Sequence, residues 1–260
     1  MKKGFALSRT VAGIAVAALL TVGVNTVKAQ SADAPVKNIV IVHGAFADAS
    51  GFEGVYKILT AHGYKVTLVQ EPLTSLEEDA DATKIAIEKQ DGPVVLVGHS
   101  WGGTVITQAG TSDKVKSLVY IAAFAPVVGE STLDLVKSAP ALPINAILPP
   151  DAKGFLYLDQ AKFREAFSAD VAKDKSDFMA VSQVPIAGKS FVTPVTEAAW
   201  KTKPAYGIVA TADNSINPVL ERKMYQRGGF KVTEVKGSHT VYISNPKAIA
   251  EVIERAAAGK

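Results

Sequence analysis

The sequence has no cysteine in 260 residues, and only four histidines, three methionines and two tryptophans. The lack of cysteine excludes a disulfide framework, so stability has to come from core burial. It also removes a common metal ligand. The histidines, at positions 43, 62, 99 and 239, include no pair at the i, i+3 or i+4 spacing of a helical metal motif, and no metal is expected. A large excess of one charge is missing as well. Four of the 28 basic residues, Lys2, Lys3, Arg9 and Lys28, fall in the first 29 positions, which hold no acid. The rest of the chain therefore carries 24 basic against 25 acidic residues. That balance excludes nucleic acid and anionic membrane surfaces as expected partners. Hydrophobic runs are short: Val11–Val24 stays free of charge for 14 residues, whereas a membrane-spanning helix needs about 20 apolar residues.

What is present at the N-terminus is the pattern of a secretory signal peptide. Lys2 and Lys3 precede the uncharged run, and Val27-Lys28-Ala29 then offers small residues two apart. Cleavage is expected between Ala29 and Gln30, followed by export to a periplasm or the cell exterior, with no membrane attachment afterwards. Residues 30–260, with hydrophobics at 48% and charged residues at 20% of the chain, are expected to form one globular domain.

Along that domain, short β-branched runs alternate with longer amphipathic stretches. Strands are expected at Asn38–Val42, Lys65–Val69, Val94–Val97, Ser117–Ala122, Ala205–Ala210 and Lys231–Val235, and helices at 51–61, 76–90, 101–110, 219–227 and 246–258. Runs such as VVLV lack strict alternation, as strands buried on both faces do. The fold class is therefore α/β, with a mostly parallel central sheet flanked by helices. Between Ala125 and Pro204 seven prolines break the rhythm, and a helical pattern spans Asp159–Ala172. This reads as a helical cap, roughly 126–203, inserted before the last two strands.

The expected strand at 94–97 runs directly into Gly98-His99-Ser100-Trp101-Gly102-Gly103, and a helix follows. This is G-x-S-x-G in a strand–turn–helix context, where a serine on a sharp, strained turn needs small residues two positions to either side. The helix N-terminus behind it provides N–H groups for a developing oxyanion.

A serine hydroxyl needs a general base to act as a nucleophile. Among the histidines, His62 ends a helix before Gly63 and reads as solvated. His99 lies within the turn, with its side chain expected to point away from the serine's face, and His43 reads as a brace for the loop after the first strand. His239, after the last strand at the carboxyl edge of the sheet, is the candidate base. Asp213, three residues past the strand ending at Ala210, is the candidate acid that holds its tautomer. Glu130 and Asp134 stand as alternatives. The amides of Ala45 and Trp101 are the candidate oxyanion donors. Phe46 and Trp101 read either as walls of an acyl pocket or as ordinary core aromatics, and Phe155, Phe178 and Met179 in the cap are further candidates for substrate contact.

Over nearly all of residues 30–260 the chain resembles the α/β-hydrolase superfamily. The stretches IVHGAFADASGFEGVYKILTAHGYKV and DGPVVLVGHSWGGTVITQAG look like the small-hydrolase branch that contains plant methyl esterases and hydroxynitrile lyases. The resemblance implies the α/β-hydrolase fold, with a triad at Ser100, Asp213 and His239 and oxyanion amides at Ala45 and Trp101. Hydroxynitrile lyases of this branch carry threonine after the first-strand histidine and lysine after the catalytic one. Here those positions are Gly44 and Thr240, which favours ester hydrolysis. Haloalkane dehalogenases and epoxide hydrolases have aspartate at the turn, so Ser100 argues against both. The expectation is a carboxylesterase-like serine hydrolase acting on a small hydrophobic ester, with no cofactor. A ligand-binding member of the fold and a perhydrolase or C–C hydrolase using the same residues are the alternatives.

Overall fold

β-Branched and aliphatic residues that alternate between two faces dominate the strands, and this alternation divides the interior in two. A computed structural model of the chain describes residues 1–4 and 36–260. Apart from its first four residues, the leader expected over 1–29, with its cleavage point, lies outside the described residues. From Asn38 the chain runs β1 (Asn38–Val42), α1 (Glu53–Ala61), β2 (Lys65–Val69), α2 (Leu76–Glu88), β3 (Val94–His99), α3 (Trp101–Ala109) and β4 (Val115–Ile121). The inserted segment holds α4 (Thr132–Lys137), β5 (Phe155–Leu156), α5 (Gln160–Phe167), α6 (Lys173–Val181), β6 (Ile186–Ala187) and α7 (Gly188–Val192). The chain then returns through β7 (Ala205–Ala210), α8 (Pro218–Gly228), β8 (Lys231–Val235), α9 (Val241–Ser244) and α10 (Pro246–Ala257).

Six strands form one sheet in the order β2-β1-β3-β4-β7-β8, and every neighbouring pair is parallel. Ile39, Ile41, Val95, Val97, Val119 and Ile121 face one core with Val55 and Leu59 of α1 and Ile249 and Ile253 of α10. Val40, Val42, Val94, Leu96, Leu118 and Tyr120 face the other, with Val105 and Ile106 of α3 and Leu220 and Met224 of α8. Burial on both faces explains why β1 and β3 read as continuous apolar runs. Each such Val or Leu contributes about 1.5–3 kcal/mol relative to exposure.

The expected strands β1, β2, β7 and β8 coincide with those observed, while β3 continues two residues further, to His99. The cap departs more from expectation. It contains a short antiparallel pair, Phe155–Leu156 against Ile186–Ala187, besides its helices. The helix expected over 159–172 is shorter, α5 alone, and α6 begins only beyond that span. Asp159 starts α5 by accepting from Ala161 N–H at 2.9 Å, and α5 ends at Ser168 with φ −137°. A turn over 168–172 then separates it from α6.

Because all six strands run the same way, their carboxyl ends line one edge of the sheet, and the loops after β1, β3, β7 and β8 meet there. Tyr225 of α8 helps to pin this edge: its hydroxyl accepts from Ala123 N–H at 2.9 Å and donates to Ala123 O at 3.0 Å. Its ring lies against Gly207 of β7, where an added Cβ would come within 2.4 Å of Tyr225 Cδ2. Gly207→Ala is expected to lower stability by about 1–3 kcal/mol through this overpacking, read as a reduced urea midpoint. An unchanged midpoint would show that the ring can move aside at no cost.

Candidate active site

Ser100 occupies the tip of the β3–α3 turn with φ 53° and ψ −119°, a left-handed conformation that a serine adopts only when its surroundings hold it there. The turn is tight because the strand and helix nearly touch. A Cβ on Gly98 would lie 2.5 Å from Gly102 O, and one on Gly102 would lie 2.4 Å from His43 O. Ser100 N–H donates to Ile121 O at 3.2 Å, and Ser100 O accepts from Gly103 and Phe124 N–H. A serine at a helix N-cap ordinarily spends its hydroxyl on the helix. This one makes no such bond.

Its Oγ meets His239 instead. Asp213 can only accept as a carboxylate, so His239 carries its proton on Nδ1 and donates it to Oδ2 at 2.6 Å, leaving Nε2 to accept from Ser100 Oγ at 2.8 Å. All three side chains are buried. Asp213 Oδ1 accepts from the N–H groups of Ser215 at 2.6 Å and Ile216 at 2.9 Å, which fixes the carboxylate plane. The alternative acids lie elsewhere. Glu130 pairs with Arg227 at 2.9 Å, and Asp134 closes a capping box with Ser131 at the start of α4.

The other histidines have separate tasks. Glu71 N–H donates to His43 Nε2 at 3.1 Å, so His43 holds its proton on Nδ1 and donates it to Gly44 O at 2.9 Å. That is the expected brace, and burial lowers its pKa. His62 is exposed and contacts Glu254 at 2.5 Å. His99, expected to point away from the serine's face, touches His239. Its Nε2–H donates to His239 O at 2.9 Å, and its ring lies 4.6 Å from that of His239. Burial and the neighbouring His239 hold its pKa well below the usual value.

Three further buried carboxyls surround the site, none of them singled out in the sequence. Glu221 on α8 accepts from Ala210 N–H at 3.1 Å through Oε2, while Oε1 has no partner among the described residues. Burial first, then the charge of Asp213, push its carboxyl well above the usual range. Asp79 accepts from Leu73 N–H and from the Trp101 indole N–H, both at 2.8 Å, and burial pushes its pKa up to about 6. Glu71 has no partner for either oxygen among the described residues, and burial raises it well above the usual range.

Ser100 and His239 open onto a cavity of about 370 Å³, which also touches Ala45. Phe46 lines it. Trp101 does not, since its ring is fully buried and packs edge-on against Phe191, so the first is a wall and the second a core aromatic. Neither the Ala45 nor the Trp101 N–H donates to a protein acceptor among the described residues, and Trp101 opens α3, where N–H groups lack helical partners. Of the cap candidates, Phe155, Phe178 and Met179 are all absent from the lining. Phe155 sits in β5, Phe178 is 69% exposed on α6, and Met179 packs against the core. The cap and sheet-edge walls are instead Leu142, Ile144, Leu158, Phe167, Phe191 and Ile216. Sequence periodicity separates buried from exposed positions; it does not tell a cavity wall from a packed core.

A carboxyl whose folded pKa exceeds its unfolded one binds its proton more tightly in the folded chain. The contribution of Asp79 is therefore intact below pH 3.8 and lost as pH rises toward 6. Asp79→Asn is expected to gain stability relative to wild type across that window and to run parallel above it, by urea denaturation at stepped pH. Parallel curves throughout would show that Asp79 titrates normally.

With this geometry, similarity to known proteins has a structural meaning. The chain matches the alpha/beta hydrolase family over residues 39–252. It is 27% identical over 252 residues to a carbendazim hydrolyzing esterase from Nocardioides sp., covering 82% of this chain and 97% of that protein. A solved pyrethroid hydrolase from Sphingobium faniae superposes with a TM-score of 0.73 at 23% identity, covering 85% of this chain and 97% of that one. A methylesterase protein from Arabidopsis superposes with a TM-score of 0.71 at 17% identity, covering 86% and 100%. The two structures establish likeness of fold, and the family match extends over most of the sequence: the chain belongs to the alpha/beta hydrolase family.

Proposed function

We propose that the chain is an exported serine esterase that cleaves a small, neutral, hydrophobic carboxylic ester through an acyl-enzyme. The observation that carries this reading is the unbroken hydrogen-bonded series Ser100–His239–Asp213 at the wall of an apolar cavity. As Ser100 Oγ bonds to the ester carbon, its proton passes to His239 Nε2 and the carbonyl electrons move onto oxygen. The N–H groups of Ala45 and Trp101 hold that oxyanion. Asp213 keeps the imidazole oriented and offsets its positive charge without taking the proton. When the carbonyl re-forms, the bond to the alcohol oxygen breaks and His239 returns the proton to the leaving alcohol. Water repeats the sequence on the acyl-enzyme, which releases the acid and restores Ser100.

The lining supports the substrate class. Among the described residues it contains no Asp, Glu, Lys or Arg, so a charged group on the substrate would be buried without a partner. The names of the relatives, a carbendazim hydrolyzing esterase and a pyrethroid hydrolase, support hydrolysis of organic esters and related acyl compounds. Gly44 and Thr240, where the resembling lyases carry threonine and lysine, support hydrolysis over cyanohydrin cleavage.

Ser100→Ala is expected to lower kcat by a factor on the order of 10⁴ without loss of fold. An alkyl fluorophosphonate is expected to add once to wild type and not at all to the variant. The same intact-mass spectrum places the N-terminus at Gln30 if the segment 1–29 acts as the leader. Equal labelling of both proteins would remove Ser100 from its role. In matched esters, methyl butyrate is expected to exceed monomethyl succinate in kcat/KM by about tenfold or more, and a reversed preference would exclude the neutral-ester reading.

A further inference from the structure

His239 is held from two sides. Residues 236–240 lie in the loop between β8 and α9; from the sheet, His99 of β3 donates to His239 O at 2.9 Å and Ala212 N–H to Gly237 O at 3.0 Å, and the rest of the support comes from the cap. Two N–H groups beside it donate to the cap: Ser238 to Asp170 Oδ2 at 3.0 Å, and Thr240 to Phe167 O at 3.3 Å. The loop carrying Asp213 is tied to the same segment. Asn214 Nδ2–H donates to Glu165 O at 3.1 Å, and the Ser215 hydroxyl donates to Ala166 O at 2.8 Å. A helix ends with carbonyls that have no intrahelical partner. In α5 the last three, on Glu165, Ala166 and Phe167, are each satisfied by a donor from a loop bearing a member of the triad. Beyond them, Asp170 gathers the Ser238 N–H, the Ser238 hydroxyl and, at 2.7 Å, the Ser244 hydroxyl.

We infer that Asp170 is a positioning residue for His239, and that segment 165–170 of the cap clasps the Asp213 and His239 loops into one geometry. The inference rests on the esterase reading above. Burial opposes ionisation of Asp170, yet the hydrogen bonds from Ser238 and Ser244 hold its carboxyl below the usual range, so a full charge anchors the loop at neutral pH. The clasp is also part of the binding site, since Ala166, Phe167, Asn214 and Ser215 line the cavity, and the Phe167 ring lies 5.0 Å from that of His239. The surface that touches substrate is thus the one that aligns the base with the nucleophile. A misplacement of about 1 Å in such a relay can cost on the order of 10²-fold in rate.

The test compares wild type, Asp170→Ala and Asp170→Asn in two assays: the second-order rate of fluorophosphonate inactivation, and kcat and KM on p-nitrophenyl butyrate. Asp170→Ala is expected to lower kcat and the inactivation rate together by about 10- to 100-fold, with KM changed less than about threefold. Asp170→Asn keeps one acceptor oxygen in the same place and is expected to recover part of both rates. If Asp170→Ala fails to fold, Ser244→Ala, which removes one donor from the carboxylate, is expected to lower both rates by a smaller factor with KM unchanged. Rates equal to wild type in the folded variants, or a rise in KM with no change in inactivation rate, would overturn the inference and leave the esterase reading intact. A wild-type protein that does not react with the fluorophosphonate overturns both.

Discussion

The backbone of Ser100, held at φ 53°, is the constraint on which the rest of the site depends. A serine in that conformation costs about 1–3 kcal/mol, and nothing local repays it. It persists because β3 is buried at the centre of a six-stranded sheet and α3 is packed tightly against it, so that the turn between them has one shape. Two glycines permit that approach. The conformation turns the hydroxyl away from the helix it would otherwise cap and toward the edge where the other loops converge.

Those loops converge because the sheet is parallel. Residues far apart in sequence, in the loops after β1, β3, β7 and β8, reach the same edge, and their partners there follow a simple rule of supply. Asp213 receives one bond from His239 and two from backbone N–H groups, while its neighbour Glu221 receives one, and burial pushes the pKa of this poorer-supplied carboxyl up. Asp79 and Glu71 repeat the relation with two donors against none. In each pair, burial and the neighbouring carboxylate disfavour the charged form of the poorer-supplied group. The histidines divide in the same way. His43 and His99 are kept neutral by burial and spend their N–H groups on backbone carbonyls, which leaves His239 as the imidazole that meets a hydroxyl on one side and a carboxylate on the other.

The cap adds a second layer to this arrangement. It was legible as an interruption in the strand–helix rhythm, but its internal structure was not. The helix expected to run from 159 to 172 stops at Phe167, and the carbonyls of its last turn are met by donors from the sheet edge, partners that no local propensity registers. The aromatic residues chosen from the cap sequence were also the wrong ones for the cavity. Phe178 looks like a pocket residue by composition and is exposed, whereas Phe167 and Phe191 resemble ordinary core residues and face the site.

The sequence by itself determined the sheet, through β-branched runs with turn signals between them, and it determined the nucleophile turn, because small residues at fixed offsets around a serine have one steric purpose. It also singled out His239 by its place after the last strand, and offered Asp213 beside Glu130 and Asp134, since a parallel topology ends its strands at the same edge. Only the tertiary structure decided which carboxyls are pushed up by burial, which aromatics wall the cavity and which donors meet the end of α5. Those outcomes depend on donors and surfaces brought from distant parts of the chain, and the desolvation that makes them matter exists only once the chain has folded.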